Sequence, residues 1–73
     1  MKYTLYIGNN CHQCAEVVKY MEDNMLEFKK INVDESDSEP PIPIFAFPAL
    51  FEEKELIGYG TDIIHYFQKV NKQ

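Results

Sequence analysis

The chain has 73 residues, 45% of them apolar, with five Tyr and five Phe; that suffices for one small core and leaves nothing for a second, so residues 1–73 are expected to form a single domain. Twelve acidic residues stand against seven Lys and no Arg, for a formal charge of −5, which argues against nucleic acid as a partner because phosphate binding needs clustered basic side chains. The apolar start, Met1 to Ile7, is too short for a signal peptide and no run approaches the ~20 residues of a membrane span, so the expectation is a cytoplasmic monomer with no membrane contact.

Tyr3, Leu5 and Ile7 alternate with Lys2, Thr4 and Tyr6, the period of a strand. Gly8-Asn9-Asn10 breaks it, and Asn10 with Gln13 has the form of a capping box opening a helix at about Cys11. Val17, Val18, Met21 and Met25 recur at helical spacing, with Glu16, Lys19, Glu22 and Asp23 on the other side. Asn24 marks the end. Phe28, Ile31 and Val33 then indicate a second strand from Phe28 to Val33, with imperfect alternation. Strand, helix and strand in about thirty residues make a βαβ unit with a parallel pair.

Asp34 to Glu39 is acidic and polar, and Pro40, Pro41 and Pro43 follow it. Ser36 and Glu39 have capping-box spacing, but the prolines restrict any helix there to a turn. Ala49-Leu50-Phe51 and Glu55-Leu56-Ile57 flank Glu52-Glu53-Lys54 and read as an antiparallel hairpin with weak turn chemistry. Gly58-Tyr59-Gly60 ends it. Thr61 is then a candidate cap for a last helix with Ile63, Ile64, Phe67 and Val70 as its apolar stripe.

The only cysteines are Cys11 and Cys14, at the step from strand to helix. In a βαβ unit, function gathers at the carboxyl ends of the strands, and Cys11 lies there. A thiol on the first turn of a helix is favoured as thiolate by unpaired amides and the helix dipole, while a second thiol one turn in can resolve a mixed disulfide. That assigns Cys11 as nucleophile and Cys14 as the more buried resolving thiol. His12 either brings positive charge beside the thiolate or is a solvated residue; Gln13 either caps the helix or meets a partner. A zinc site wants four ligands, and beyond the cysteines only His12 and His65 remain, so a metal would have to be shared between molecules. A pair that is merely buried would leave its placement unexplained.

A strand, Cys-x-x-Cys at a helix head, Phe47-Pro48 before a hairpin and Gly58-Tyr59-Gly60-Thr61-Asp62 before a last helix together resemble the glutaredoxin branch of the thioredoxin fold. The resemblance implies an α/β thioredoxin-like fold with a mixed four-stranded sheet of order 2-1-3-4 and a middle helix that is reduced or absent. It implies a cis Pro48 facing the cysteine pair and a backbone at Phe47 that adds an extended substrate as a strand, the alternatives being an ordinary trans proline and plain core packing. Gly58, Tyr59, Thr61 and Asp62 would complete the substrate-binding rim, although capping of the last helix also explains Thr61 and Asp62.

The chain departs from many glutaredoxins, with His12-Gln13 in place of Pro-Tyr, Gly8 in place of a Lys before the pair, and Ala46-Phe47 in place of Thr-Val. Gln before the second cysteine, the Gly58-Tyr59 pair and Asp62 resemble the redoxins that serve class Ib ribonucleotide reductase and draw electrons from thioredoxin reductase. The implied activity is protein-disulfide reduction with no bound cofactor or metal, with thioredoxin reductase or glutathione as reductant and a disulfide-containing protein, such as ribonucleotide reductase, as acceptor. The competing class is a non-catalytic thioredoxin-fold binding module.

Overall fold

Six regular elements span residues 2–70, the part of the chain described by the computed structural model: β1 (Tyr3–Ile7), α1 (His12–Asp23), β2 (Phe28–Asn32), β3 (Ala49–Glu52), β4 (Glu55–Tyr59) and α2 (Asp62–Val70). The strands form one sheet in the order β2-β1-β3-β4, with β2 parallel to β1 and β3 antiparallel to β1 and β4. This is the mixed four-stranded order that the resemblance implies.

The period of two in β1 sends Leu5 to one face of the sheet and Tyr6 to the other, and both are buried. Leu5 and Leu50 pack with Val17 and Met21 of α1 and with Ile63 and Phe67 of α2. Both helices therefore cover the same face, each large apolar side chain contributing about 1.5–3 kcal/mol by burial. On the opposite face Tyr6, Ile31, Ala49 and Phe51 form a second cluster, onto which Val33, Ile44 and Phe47 pack. The imperfect alternation of β2 is thereby resolved: Phe28 belongs with the helix-side core and Ile31 with the other cluster. Lys30, two residues from Phe28, shares its face.

Four local expectations need correction. The N-cap of α1 is Cys11, in extended conformation at φ −114° and ψ 104°, not Asn10, which takes the left-handed region at φ 55°. Met25 is not part of the apolar stripe: α1 ends with Asn24 as C-cap, and Met25, at φ 56°, is 89% exposed. The Met25 amide donates to the Glu22 carbonyl and the Leu26 amide to that of Met21, a Schellman motif in which Met25 fills the position glycine favours. Leu26 then packs against the core in its stead. Val70, at the last described turn of α2, is half exposed, and Tyr66 completes the sheet-facing stripe.

The fourth correction concerns only the capping box of Ser36 and Glu39, which does not form, while residues 34–47 make the irregular connection that the prolines lead one to expect. No helix forms there; one turn at residues 33–35 is followed by irregular chain. Ser36 instead accepts the Ser38 amide through its hydroxyl at 3.1 Å, a local bond that competes with helix formation. Pro40, Pro41 and Pro43 remove the donors a helix would need.

Candidate active site

β1 delivers the chain to Gly8, and Asn10 turns it through the left-handed region that Asn tolerates better than most residues. Cys11 then caps α1 with its own sulfur: Sγ accepts the Cys14 amide at 3.1 Å, while the Cys11 carbonyl accepts the Ala15 amide at 3.3 Å. Cys11 and Cys14 are joined as a disulfide with their Cα atoms 5.2 Å apart. Cys14 is buried at 3% exposure and Cys11 is half-buried, so Cys11 is the sulfur an incoming group reaches. In the dithiol form the same amide and the positive end of α1 favour negative charge on Cys11.

The loop carrying Cys11 is tied to the end of β2 by a polar cluster. The Asn9 amide donates to Asp34 Oδ2 at 2.7 Å, Asn32 Nδ2 donates to Asn9 Oδ1 at 3.0 Å, and the Asp34 amide donates to Asn32 Oδ1 at 2.9 Å. The Val33 amide adds a bond to the Ile7 carbonyl at 2.9 Å. None of these three side chains was singled out from sequence. Their only signal was a polar residue at each strand end, which is the commonest pattern on any surface.

The Phe47–Pro48 peptide is cis. Pro48 is fully buried and its carbonyl accepts the Gly60 amide at 2.8 Å. Phe47 is half-buried and its ring lies beside Gly8, where an added Cβ would come within 3.4 Å of Phe47 Cδ2. Gln13 lies against Gly60, where a Cβ would be 2.7 Å from Gln13 Oε1, and it is the backbone of Gly60, at φ 56°, that selects glycine. Cys11, Cys14, Gln13, Phe47, Pro48 and Gly60 are thus drawn to one end of the sheet. The Tyr59 hydroxyl joins this rim by accepting the Phe45 amide at 3.4 Å.

The remaining predicted residues serve other places. His12 points outward with Nε2 3.3 Å from Glu16 Oε1. Gly58 pairs with Leu50 inside the sheet. Thr61 starts the α2 ladder through its carbonyl, which accepts the Ile64 and His65 amides, and Asp62 stands in the first turn with Oδ1 3.8 Å from His65 Nδ1. An acid there suits the positive end of the helix.

Beside the cysteine pair lies a hollow of ≈ 310 Å³ whose wall includes Gly8, Asn10, Cys11, Cys14, Val18 and Lys30. In the sequence Lys30 reads as a polar strand position; its pairing with Leu5 is what puts it on the α1 side. Among the described residues no group of three His, Cys, Asp or Glu side chains could hold a metal ion, and no helix is long and apolar enough to cross a membrane.

No protein-family model matches the chain. Over 32 residues it is 44% identical to the glutaredoxin-like protein NrdH of Lactococcus lactis subsp. cremoris (strain MG1363), a stretch covering 44% of this chain and 44% of that protein. The match therefore spans less than half of the relative's length. Glutaredoxin 1 from Francisella tularensis, crystallised with cacodylate, superposes with a TM-score of 0.67 at 19% identity, covering 97% of this chain and 96% of its own. A thioredoxin-like protein superposes with a TM-score of 0.66 at 16% identity, covering 89% of this chain and 97% of its own. Fold and strand order agree with these neighbours: the chain has a thioredoxin-like fold of the glutaredoxin type, and over 32 residues its sequence resembles a glutaredoxin-like protein.

Proposed function

We propose that this protein is a dithiol–disulfide electron carrier that reduces disulfides in other proteins, with Cys11 as nucleophile and Cys14 as resolving thiol. One observation carries this reading: Cys11 caps α1, so the amide of Cys14 already points at its sulfur, at 3.1 Å. A thiolate formed there has a hydrogen-bond donor and the positive end of a helix beside it.

In the forward direction the Cys11 thiolate attacks one sulfur of a substrate disulfide. A mixed disulfide forms, the substrate bond breaks, and one substrate thiolate leaves and takes up a proton. Cys14 then loses its proton and attacks Cys11 Sγ, releasing the second substrate thiolate and leaving the Cys11–Cys14 disulfide. Two electrons pass to the substrate. The backbone at Phe47 would hold an extended substrate chain as an added strand, with Gln13 and Pro48 beside the sulfurs and Tyr59 at the rim. Return to the dithiol needs an external reductant, thioredoxin reductase or glutathione. A disulfide protein such as ribonucleotide reductase is the acceptor that the redoxin-like sequence favours.

The test is turnover of insulin or a small-molecule disulfide with each reductant in turn. Wild type should reduce the disulfide with at least one of them, Cys11→Ser should abolish turnover while keeping the circular dichroism spectrum, and Cys14→Ser should accumulate the mixed disulfide. Absence of exchange with both reductants overturns the carrier reading in favour of a binding module. The potential of the pair should lie between roughly −270 and −200 mV, and a value near about −120 mV would mark an oxidant.

A further inference from the structure

The hollow beside the cysteine pair is walled largely by loop residues and apolar side chains, with Gly8 and Asn10 on one side and Val18 on another. Lys30 is the charged side chain on that wall. Its place follows from the sheet: in the parallel ladder Lys30 pairs with Leu5, so it shares the helix-side face with Leu5 and Phe28. β2 is an edge strand: among the described residues no further strand flanks it on its outer side. The side chain is exposed and lines the hollow together with Val18. Among the described residues the ion pairs involve Lys2, Lys19, His12 and His65, and none holds Lys30.

We infer that Lys30 is a positioning residue for the thiol chemistry: its side chain lines the same hollow as Cys11 and Cys14, and its positive charge stabilises the thiolate that the reduced pair must form. The inference rests on the reading of the pair as a working dithiol. Other charged groups near the pair are committed elsewhere. His12 and Glu16 pair with each other on the outer side of α1. The Asp34 carboxylate, held by the Asn9 amide beside Gly8, keeps its negative charge and disfavours the thiolate equally in every variant at residue 30, and Asp62 and His65 lie on the first turn of α2, outside the hollow's wall. An ammonium acting through a partly wet hollow exerts a modest, salt-sensitive effect, unlike a buried ion pair.

The experiment is alkylation of the reduced full-length protein by neutral iodoacetamide across pH, at low and high salt, for wild type, K30Q, K30E and K30R, with thermal melts run in parallel. K30Q should raise the apparent pKa of the more reactive thiol by about 0.3–0.5, a roughly two- to threefold loss of thiolate below that pKa at low salt. K30E should raise it further, K30R should restore the wild-type profile, and about 0.5 M salt should erase the differences. A K30E profile that coincides with wild type overturns the inference; so does a K30R that behaves like K30Q, since packing and not charge would then be at work. Alkylation needs no redox partner, so the two readings fail separately. Wild type that exchanges disulfides with a profile indifferent to residue 30 sinks the role of Lys30 alone, and a Lys30-dependent profile without exchange sinks the carrier reading alone.

Discussion

On one face of the sheet Leu5 and Leu50 are covered by two helices, while on the other Tyr6, Ile31, Ala49 and Phe51 are covered by an irregular strap anchored through Val33, Ile44 and Phe47. The covers differ in what their backbones require. A helix bonds its own amides and carbonyls, so it can bury a whole stripe of side chains; irregular chain must leave its polar backbone accessible to water. The strap therefore buries single anchors and turns the residues between them outward, Ile42 at 45% and Phe45 at 91% exposure. Local opening should begin on the strap side and global unfolding on the helix side.

The sharpest way to break the comparison is to empty one side. Phe67→Ala removes a fully buried ring that meets Tyr3 edge-on at 5.1 Å, and should cost about 3–5 kcal/mol in a urea titration. Ile44→Ala on the strap should cost only about 1 kcal/mol globally. It should, however, hasten proteolysis within residues 34–47 far more than Phe67→Ala does per unit of stability lost. Equal costs for the two variants would mean that the strap is as much a part of the core as the helices.

On the helix side, Met25→Gly should stabilise by about 0.5–1 kcal/mol, because the Schellman position at φ 56° strains any residue with a Cβ. The same titration measures it. The smallest effect is alkaline. The Tyr66 hydroxyl is pushed up to about 12, mainly by the neighbouring Tyr3 hydroxyl and secondly by burial. A pKa raised in the folded state means stability that is whole below pH ~10 and is lost as pH climbs toward about 12. Urea midpoints of the oxidised protein should fall across that range, and Tyr66→Phe should flatten the decline.

The strands and helices were legible because their side chains repeat at the period of the backbone that carries them, as Leu5 and Tyr6 or Val17 and Met21 do. The errors arose where a period ran on past the structure that produced it: Met25 continues the spacing of α1 but lies beyond its cap. The N-cap was misassigned because Asn10 is an ordinary capping type, whereas the capping atom is a cysteine sulfur. In the candidate site, Cys11 and Cys14 could be picked from spacing alone. Lys30 and the Asn9, Asn32 and Asp34 cluster could not, because what joins them is the register of β1 against β2, a relation between distant stretches that no local pattern encodes.

The crowding at Gly8 has a consequence for anyone who wishes to transplant specificity into this scaffold. A Cβ at that position would stand 3.1 Å from Asp34 Oδ2 and 3.4 Å from Phe47 Cδ2, and Asp34 is held in place by the Asn9 amide. Grafting the glutaredoxin-type lysine onto residue 8 is therefore no single exchange. A side chain at 8 makes ordinary contact with the ring that precedes Pro48 but needs the Asp34 carboxylate, which anchors the cysteine loop, to give by a few tenths of an ångström, so the graft is felt first in that anchor.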